Sequence, residues 1–281
     1  MTVFNHLDKK IFKKSKNYFE KNGFVNFRNI LASEEIDSID HIIRKLVKNK
    51  KLRINKENIA NNNDIIYLHS KIENLAKNKK ILKIIKYFIE SDFELQHSKF
   101  NPKPTQKISK KSEVMWHQDY PFYPHTNFDL ISCIIHLDDE DTSNGALEFI
   151  LGSHLHGPKS HCNLKGRFVN KCTDKKFLKK QKIFKPIFKK GDISFHHCLT
   201  LHRSGTNTSL NERRLMVFQY KAIDAVQLAG VIWKCHGHQV FPKKSLQVEK
   251  RYARFLDGTK IELRGRNSRL IDVGGKFKPD E

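Results

Sequence analysis

Apolar side chains recur three and four positions apart in the first third of the chain, which is typical of amphipathic helices. Gly23 is predicted to end the first helix, because glycine readily takes the left-handed conformation of a helix C-cap. Ser33 is predicted to be the N-cap of the second helix, since its hydroxyl can accept from a free backbone N–H. The pattern predicts helices over 8–22, from Ser33 to about Val47 and over 68–89, a strand over 24–31 and a Lys/Asn-rich loop over 48–64.

From about residue 93 the pattern changes to short apolar or alternating runs separated by turn residues. The turn signals are strongest at Asn144-Gly145 and at Gly191-Asp192, because glycine permits backbone conformations that other residues avoid. A series of short strands of this kind predicts a β-sandwich or barrel. The predicted strands are 93–100, 114–116, 129–137, 146–151, 192–201 and 215–220.

These elements predict a single mostly β domain with flanking helices. The chain has 281 residues, of which 38% are hydrophobic and 20 are Phe, enough for a substantial core. A polar, Lys-rich insert over 154–190 interrupts the strands, and a long insert is usually functional or mobile. We expect one domain over 1–281, with a mainly helical flank (1–92), a β core (93–225) and a basic C-terminal extension (226–281) in which 254–273 could add one or two strands.

The net charge of +23 admits two interpretations. A nucleic acid or an anionic membrane surface would attract such a chain. However, 41 of the 53 cationic residues are Lys, and they are spread along the whole sequence. Proteins that read phosphates and bases favour Arg for its planar, bidentate guanidinium. We therefore favour the composition bias of an AT-rich genome, and nucleic acid stays open as an alternative partner.

The remaining composition predicts a cytoplasmic location without a membrane partner. No stretch approaches the roughly 20 apolar residues of a membrane span, and the best run, 130–137, has the length of a strand. Residues 1–10 lack the apolar segment of a secretory signal. The five cysteines are odd in number, scattered and without a C-x-x-C. A disulfide framework and a zinc ribbon are therefore both poor interpretations, and a reducing compartment fits.

His117-Gln-Asp119 is the first candidate for chemistry. In an extended segment residues i and i+2 face the same way, so the imidazole and the carboxylate would converge on one point. His202 follows an apolar run and precedes a turn at Ser204-Gly205, which makes it the candidate third ligand. Two His and one carboxylate form the facial triad of non-haem iron(II) oxygenases, with coordination positions left open. The His-x-Asp pattern alone is weak, because the chain has 15 His and 30 acidic residues.

Arg213 strengthens this hypothesis, because it lies beyond His202 on the next predicted strand, across a turn region. Its guanidinium can point into the same cavity and bind a carboxylate bidentately. The far end of 2-oxoglutarate offers such a carboxylate, and Ser204 could donate a second hydrogen bond to it. Arg214 should point to the opposite face of the strand, where we expect an outer salt bridge.

Several neighbouring residues have a plainer interpretation. His197 has the opposite strand parity to His202, so we expect it not to be a ligand, and the other histidines are expected at the surface or behind the ligands. The acidic run Asp138–Asp141 is expected to be a solvated loop. The aromatic run Tyr120–Tyr123, next to Trp116, could equally be the wall of a pocket or plain core.

Four motifs in this order resemble the phytanoyl-CoA dioxygenase family. They are Trp116-His-Gln-Asp-Tyr120, Asn144-Gly-Ala-Leu-Glu148, Gly152-Ser-His154, and His202-Arg-Ser-Gly-Thr-Asn-Thr-Ser209 followed by Arg213-Arg214. The similarity covers about residues 18–225. It implies a double-stranded β-helix and an oxygenase that depends on Fe(II), 2-oxoglutarate and O2.

The resemblance also implies roles for individual residues. His117, Asp119 and His202 would bind iron, and these are the catalytic residues. Arg213 and Ser204 would bind 2-oxoglutarate, and Lys103, in Phe100-Asn-Pro-Lys-Pro104, would touch it as the corresponding Lys does in the family. Arg203 departs from the family pattern, in which Gly is common, so the rim beside the third ligand is bulkier and more basic.

The motifs are most similar to small-molecule hydroxylases of the bacterial branch of the family. We therefore predict hydroxylation of a small, anionic or zwitterionic metabolite, with release of succinate and CO2. The anionic character rests on five cations near the motifs, two of which would suffice in the pocket: Lys99, Lys103, Lys165, Arg167 and Arg203. The alternatives are an oxygenase or binder acting on nucleic acid, suggested only by the charge, and a cupin-like binding module without chemistry.

Overall fold

The computed structural model describes residues 2–5, 8–54, 62–109, 112–240 and 251–263. The helices in this part of the chain are α1 (Lys9–Asn22), α2 (Ser33–Lys48), α3 (Ser70–Ala76), α4 (Lys79–Ile89) and α5 (Lys175–Lys179). The first strands are β1 (Val3–Phe4), β2 (Phe24–Phe27), β3 (Phe93–Lys103), β4 (Val114–His117), β5 (Leu130–His136) and β6 (Leu147–Phe149). They are followed by β7 (Ile193–His197), β8 (His202–Ser204), β9 (Arg213–Ala222), β10 (Arg251–Arg254) and β11 (Lys260–Leu263).

Two sheets form the core of the molecule. The larger has six strands in the order β1-β2-β7-β5-β9-β3, and the smaller has three in the order β4-β8-β6. An apolar cluster lies between them, to which both sheets contribute: Phe24, Ile134, Leu147, Phe149, Leu215 and Val217 are among its members. Neighbours in the sheets are mostly distant in sequence, as in a double-stranded β-helix, so the predicted mostly β fold with flanking helices is confirmed.

The helices cover the outer face of the larger sheet. Successive side chains of a strand point to opposite faces, so Phe24 joins the cluster between the sheets while Val25 and Phe27 join the cluster beneath the helices. The rings of Phe19 in α1 and Phe88 in α4 stack with centroids 4.6 Å apart. Strands covered on both faces explain why the sheet is rich in apolar residues without strict alternation.

The helix boundaries differ from the prediction at two places. Ala32, not Ser33, is the N-cap of α2, and the Glu35 side chain accepts a hydrogen bond from the Ala32 N–H at 2.9 Å. The predicted helix over 68–89 is divided into α3 and α4, because the Asn78 side chain accepts from the Lys80 N–H at 2.9 Å and begins a new helix. Gly23 ends α1 with a φ of 68°, as expected from the sequence.

The strand predictions were accurate in position and less so in length. The predicted strand over 192–201 is β7 only as far as His197, since the chain then turns before β8 begins at His202. The insert over 154–190 contains α5 and bridges to the core at Glu140–Phe188 and Phe149–Phe184. In the extension, β10 and β11 pair as a hairpin, whereas 264–273 and part of the predicted loop, 55–61, lie outside the described residues.

Across the described ranges, no helix combines the length and apolar character that a membrane span requires.

Asp192 lies in the turn before β7 and links that turn to β2 and the residue that follows it. Its carboxylate is fully buried and accepts two hydrogen bonds from the Arg28 guanidinium, at 2.7 and 2.8 Å. Asn26 in β2 donates a further hydrogen bond to it at 2.9 Å. This ion pair therefore holds β2 against β7 in the larger sheet.

We expect Asp192→Ala to lower the free energy of unfolding by about 3 kcal/mol, because it leaves Arg28 and the buried Asn26 amide without their acceptor. Denaturant unfolding measures the change. Lys189→Ala is the matched control, since Lys189 forms an exposed ion pair with Asp139 and such pairs are worth less than about 1 kcal/mol. Equal effects of the two substitutions would contradict this account of the sheet.

Candidate metal centre

His117, Asp119 and His202 bring three ligand atoms together at the edge of the smaller sheet. His117 ends β4 and is paired with His202, the first residue of β8. The Asp119 Oδ1 lies 3.9 Å from the His117 Nε2 and 3.7 Å from the His202 Nε2, and all three ligand atoms lie within 4.8 Å of one another. Atoms at these separations can surround a single metal ion.

Backbone carbonyls orient both imidazole rings. The His117 Nδ1 lies 2.8 Å from the Met115 carbonyl oxygen, and the His202 Nδ1 lies 2.9 Å from that of Thr200. A carbonyl oxygen can only accept, so each Nδ1 carries the proton and each Nε2 presents a lone pair. Burial lowers the pKa of His117 to about 4 and that of His202 well below its usual value. Both rings are therefore neutral, as metal binding requires.

Asp119 is held by its other oxygen. Its Oδ2 accepts from the Ser132 hydroxyl at 2.8 Å and from the His196 Nε2 at 3.1 Å, which leaves Oδ1 facing the two ligand nitrogens. Burial raises the pKa of Asp119, but the imidazoles of His202 and His196 outweigh this effect and hold it well below its usual value. The carboxylate is therefore ionised and presents one oxygen to the centre of the site.

The local geometry differs from the extended segment that the sequence predicted. Asp119 has a φ of −69° and a ψ of −39°, and it directly precedes the 3₁₀ turn Tyr120–Phe122. The two side chains converge because the chain bends after His117, not because strand alternation continues through Asp119. His117 and Asp119 do lie together, but the strand alternation from which we expected this is not the reason.

His196 is the neighbour of the site that reasoning from the sequence did not single out. It lies on the inner face of β7, with its ring centroid 4.4 Å from that of His202. His197 points the other way, with its ring 5.3 Å from that of His154, as its strand parity predicted. The sequence feature that could have identified His196 is its alternation along β7 with Ser194. Ser194 faces inward and hydrogen-bonds the His136 ring.

Arg213 and Lys103 form a second, cationic part of the site. They are paired in register across β3 and β9, and both are almost completely buried. The Arg213 guanidinium donates to the Gly145 and Asn101 carbonyl oxygens at 3.2 and 3.4 Å. Among the residues that the structure describes, its Nε has no hydrogen-bond partner, and the Glu140 Oε2 lies 3.8 Å away. The guanidinium therefore has a donor to spare for an incoming carboxylate.

Lys103 lies against the end of β8. Its Nζ donates to the carbonyl oxygens of Ser112 and, at 2.7 Å, of Gly205. Burial, together with the nearby Arg213, lowers the pKa of Lys103 to about 6. Ser204, just before Gly205, is also buried, so the three residues predicted to bind 2-oxoglutarate share one region of the core.

Gly145 allows this close packing. It has a φ of 75°, and a Cβ at this position would lie 2.6 Å from the Gly205 oxygen and 2.6 Å from the Lys103 Cδ. A glycine is therefore required both by the backbone conformation and by the space. The Asn144-Gly145 turn that the sequence predicted thus contributes directly to the cationic part of the site.

The acidic run Asp138–Asp141 is only partly the solvated loop that the sequence predicted, since Asp139 and Asp141 are exposed but Asp138 and Glu140 are not. Glu140 is buried, and its carboxylate lies 2.6 Å from the His136 Nδ1. Asp138 accepts from Arg214, which also donates to Asp40 at 2.5 Å. Arg214 has the predicted orientation away from Arg213, but its ion pairs are buried because α2 covers this face of β9.

One aromatic residue of the predicted wall contacts the metal-ligand cluster. The Phe122 ring lies 5.6 Å from the His117 ring and 5.0 Å from that of Phe168 in the insert. Trp116 instead stacks against Arg203, whose guanidinium carbon lies 4.9 Å from the ring centroid. The insert over 154–190 therefore contributes to the surroundings of the site.

Comparison with known proteins gives a consistent picture of relatedness. The profile of the family described as phytanoyl-CoA dioxygenase (PhyH) matches residues 19–215. A probable alpha-ketoglutarate-dependent hypophosphite dioxygenase of Stutzerimonas stutzeri is 33% identical over 166 residues, 57% of this chain and 56% of that protein. The peroxisomal phytanoyl-CoA dioxygenase of Rattus norvegicus is 26% identical over 232 residues, 74% of this chain and 68% of that protein. The chain thus spans little more than half of the first relative.

Solved structures share the fold at low sequence identity. The non-haem alpha-ketoglutarate-dependent carbocyclase SnoK from nogalamycin biosynthesis superposes with a TM-score of 0.68 at 18% identity, over 84% of this chain and 96% of that chain. EctD from S. alaskensis, solved with 2-oxoglutarate and 5-hydroxyectoine, superposes with a TM-score of 0.64 at 16% identity, over 82% of this chain and 84% of that chain. These likenesses support the double-stranded β-helix described above.

Proposed function

The chain belongs to the phytanoyl-CoA dioxygenase family, and from that premise we propose that it hydroxylates a small molecule with Fe(II), 2-oxoglutarate and O2. The family predicted from the motifs is confirmed, and the name of the Stutzerimonas stutzeri relative supports the class of non-haem iron, 2-oxoglutarate-dependent dioxygenase that the family implied. The observation that carries the proposal is the cluster of two neutral imidazoles and one ionised carboxylate. The single domain over 1–281 remains a prediction.

His117, Asp119 and His202 would bind the iron. The donor set supports this assignment, because two imidazoles and a carboxylate on one side of an ion form the facial triad of iron(II) oxygenases. Bound iron would supply the oxidation, coupling the conversion of 2-oxoglutarate to succinate and CO2 with hydroxylation of the substrate. The chain's own contribution is to orient the ligands through the Met115, Thr200 and Ser132 contacts.

Arg213, Lys103 and Ser204 would bind 2-oxoglutarate. The spare Nε donor of Arg213 supports this role, because a buried guanidinium with unused hydrogen-bonding capacity favours a carboxylate ligand. The Glu140 carboxylate already offsets part of the charge of Arg213. Lys103 would add a second cation for the same carboxylate, and the buried Ser204 would add a hydroxyl.

The substrate would be a small anionic or zwitterionic metabolite. The relative from Stutzerimonas stutzeri is named for hypophosphite, a compact oxyanion. Of the cations considered from the sequence, Lys165 and Arg167 are exposed, and Arg203 is paired with Glu148. Lys99 and Lys103, both on β3, remain as candidates. No feature of the described residues and no similar protein named here supports the nucleic-acid alternative.

The direct test is turnover by the purified protein. Anaerobic protein is loaded with Fe(II) and 2-oxoglutarate and exposed to O2 with hypophosphite, short phosphonates and amino-acid derivatives, and succinate is measured. We expect stoichiometric iron binding, and succinate whose yield rises with one of these compounds. Absence of both iron binding and succinate would overturn the proposal.

Arg213→Ala should weaken 2-oxoglutarate binding while iron stays bound. Loss of the partner of a buried carboxylate costs on the order of 2–5 kcal/mol, so we expect the dissociation constant to rise at least about thirtyfold. Anaerobic titration of the iron-loaded protein, followed by the visible band of the chelate, measures it.

Arg214→Ala is the control for this substitution. It should lower the free energy of unfolding, because Asp138 and Asp40 lose their cation, yet leave the dissociation constant of 2-oxoglutarate within twofold. If Arg214→Ala weakened 2-oxoglutarate binding and Arg213→Ala did not, the assignment of Arg213 to the inner face of β9 would be wrong.

Binding of 2-oxoglutarate to the iron-loaded protein should take up protons at pH 7.5. Because the pKa of Lys103 is lowered to about 6, this amine is mostly neutral at that pH. An incoming carboxylate stabilises the ammonium and raises the pKa, so a proton is bound. The groups facing Lys103 are Arg213, which opposes protonation, and Glu113 and Glu140, which favour it.

Calorimetry in two buffers of different ionisation enthalpy measures this uptake. We expect the observed heat of binding to depend on the buffer in the wild type and to lose most of that dependence in Lys103→Met. A buffer-independent heat in the wild type would contradict the assignment of Lys103 to the co-substrate.

A further inference from the structure

A β-bulge turns an additional polar side chain toward the interior beside the metal-ligand cluster. The register between β3 and β9 shifts between Leu95 and His97, so Gln96 is the extra residue. Gln96 and His97 are both buried, and the Gln96 Oε1 bonds the His97 Nδ1. Bulges are common next to active sites, where they change the direction of a side chain.

The inner face of the β3–β9 pair carries a row of polar residues. His97 is opposite Gln219, Lys99 is opposite Val217, and Lys103 is opposite Arg213. Val217 belongs to the apolar cluster between the sheets, so this is the face that looks into the β-helix. Alternation along β3 places Lys99 on the same face as His97 and Lys103.

Lys99 is a half-buried cation without a close anion. Its side-chain ammonium forms no hydrogen bond or ion pair with the part of the chain that the structure describes. Burial lowers the pKa of Lys99, and the carboxylate of Asp119 is the charge that opposes this effect. A desolvated ammonium that no partner neutralises is costly, and it favours binding of an anion near Asp119.

Two buried amides beside Lys99 also have unused donors. The Gln219 Oε1 accepts from the Tyr123 hydroxyl at 2.5 Å, and the Gln96 Oε1 is occupied by His97. The Nε2 group of each glutamine is buried and has no hydrogen-bond partner within the described ranges of the chain. Buried donors without acceptors are rare and destabilising, so an acceptor from outside the chain explains both.

The walls around these donors restrict what can enter. The Tyr123 ring lies 5.4 Å from that of His97, and the Trp233 ring lies 6.0 Å from it. The Trp233 Nε1 is a further buried donor, and no described residue accepts from it. One cation and several N–H donors between aromatic rings match a compact oxyanion with several acceptor oxygens.

We propose that Lys99, Gln96 and Gln219 form a subsite that binds the oxyanion group of the substrate beside the metal centre. The ligand class is a compact carboxylate or phosphorus oxyanion. The assignment rests on the proposed function, since it takes the His117, Asp119 and His202 cluster as the reacting centre. Arg213 and Lys103, at the other end of the row, hold the co-substrate, so the two anions are bound separately.

The test uses the anaerobic wild-type protein loaded with Fe(II) and 2-oxoglutarate. Hypophosphite and acetate are titrated while the visible band of the chelate is followed, with acetamide as the uncharged counterpart of acetate. We expect at least one of the two anions to shift the band saturably and acetamide to leave it unchanged. If the chelate forms and neither anion shifts the band, the subsite is wrong while the proposed function stands. If no chelate forms, the proposed function itself fails, and the subsite with it.

Three substitutions test the residues. Lys99→Met should raise the dissociation constant of the anion at least tenfold, and Lys99→Arg should restore most of the affinity. Gln219→Glu, which replaces a donor by a carboxylate oxygen, should remove anion binding. In all three, the dissociation constants of iron and 2-oxoglutarate should stay within twofold of the wild type.

Lys165→Met is the matched control, because Lys165 is an exposed cation in the insert. This substitution should leave the dissociation constants of the anion, iron and 2-oxoglutarate unchanged. Equal anion affinity in Lys99→Met and the wild type would overturn the subsite. A parallel loss of 2-oxoglutarate affinity in Lys99→Met would also overturn it, because Lys99 would then hold the co-substrate.

Discussion

The carboxylate of Asp119 is the group on which the arrangement of the site depends. Ser132 and His196 hold its Oδ2, and this leaves Oδ1 directed at the two ligand nitrogens. A buried carboxylate without these donors would favour its neutral form. The larger sheet supplies both donors, from β5 and β7, while the smaller sheet supplies the imidazoles. Closure of the two sheets on each other therefore determines whether the three ligand atoms meet.

The β3–β9 pair organises the remaining chemistry along one line. At one end Lys103 and Arg213 are paired in register, and toward the other end Lys99, His97 and Gln219 face the same interior. A regular strand could not direct both Gln96 and His97 inward, so the bulge is what makes the second polar region possible. The two proposed anion sites on this pair of strands, with the metal ligands beside them, would suit an enzyme that binds an anionic substrate together with 2-oxoglutarate.

Reasoning from the sequence was most successful where the signal was local. The order of the motifs and the turn at Gly145 could be read directly, and the parity of Arg213 and Arg214 followed from alternation. Features made by distant parts of the chain could not be predicted. The Asp138–Asp141 run is acidic and looks solvated, but Arg214 reaches Asp138 and Asp40 only after β9 and α2 have packed together. The bulge at Gln96 likewise depends on pairing with β9, more than a hundred residues away.

Anomalous diffraction from anaerobic crystals grown with Fe(II) and 2-oxoglutarate tests the central claim most directly. The account predicts one strong iron peak roughly 2 Å from both ligand Nε2 atoms and from the Asp119 Oδ1, with bond lengths typical of imidazole and carboxylate ligands. Density for 2-oxoglutarate should extend from that peak to Arg213. Iron bound elsewhere, for example between His154 and His197, or 2-oxoglutarate directed away from Arg213, would contradict the account.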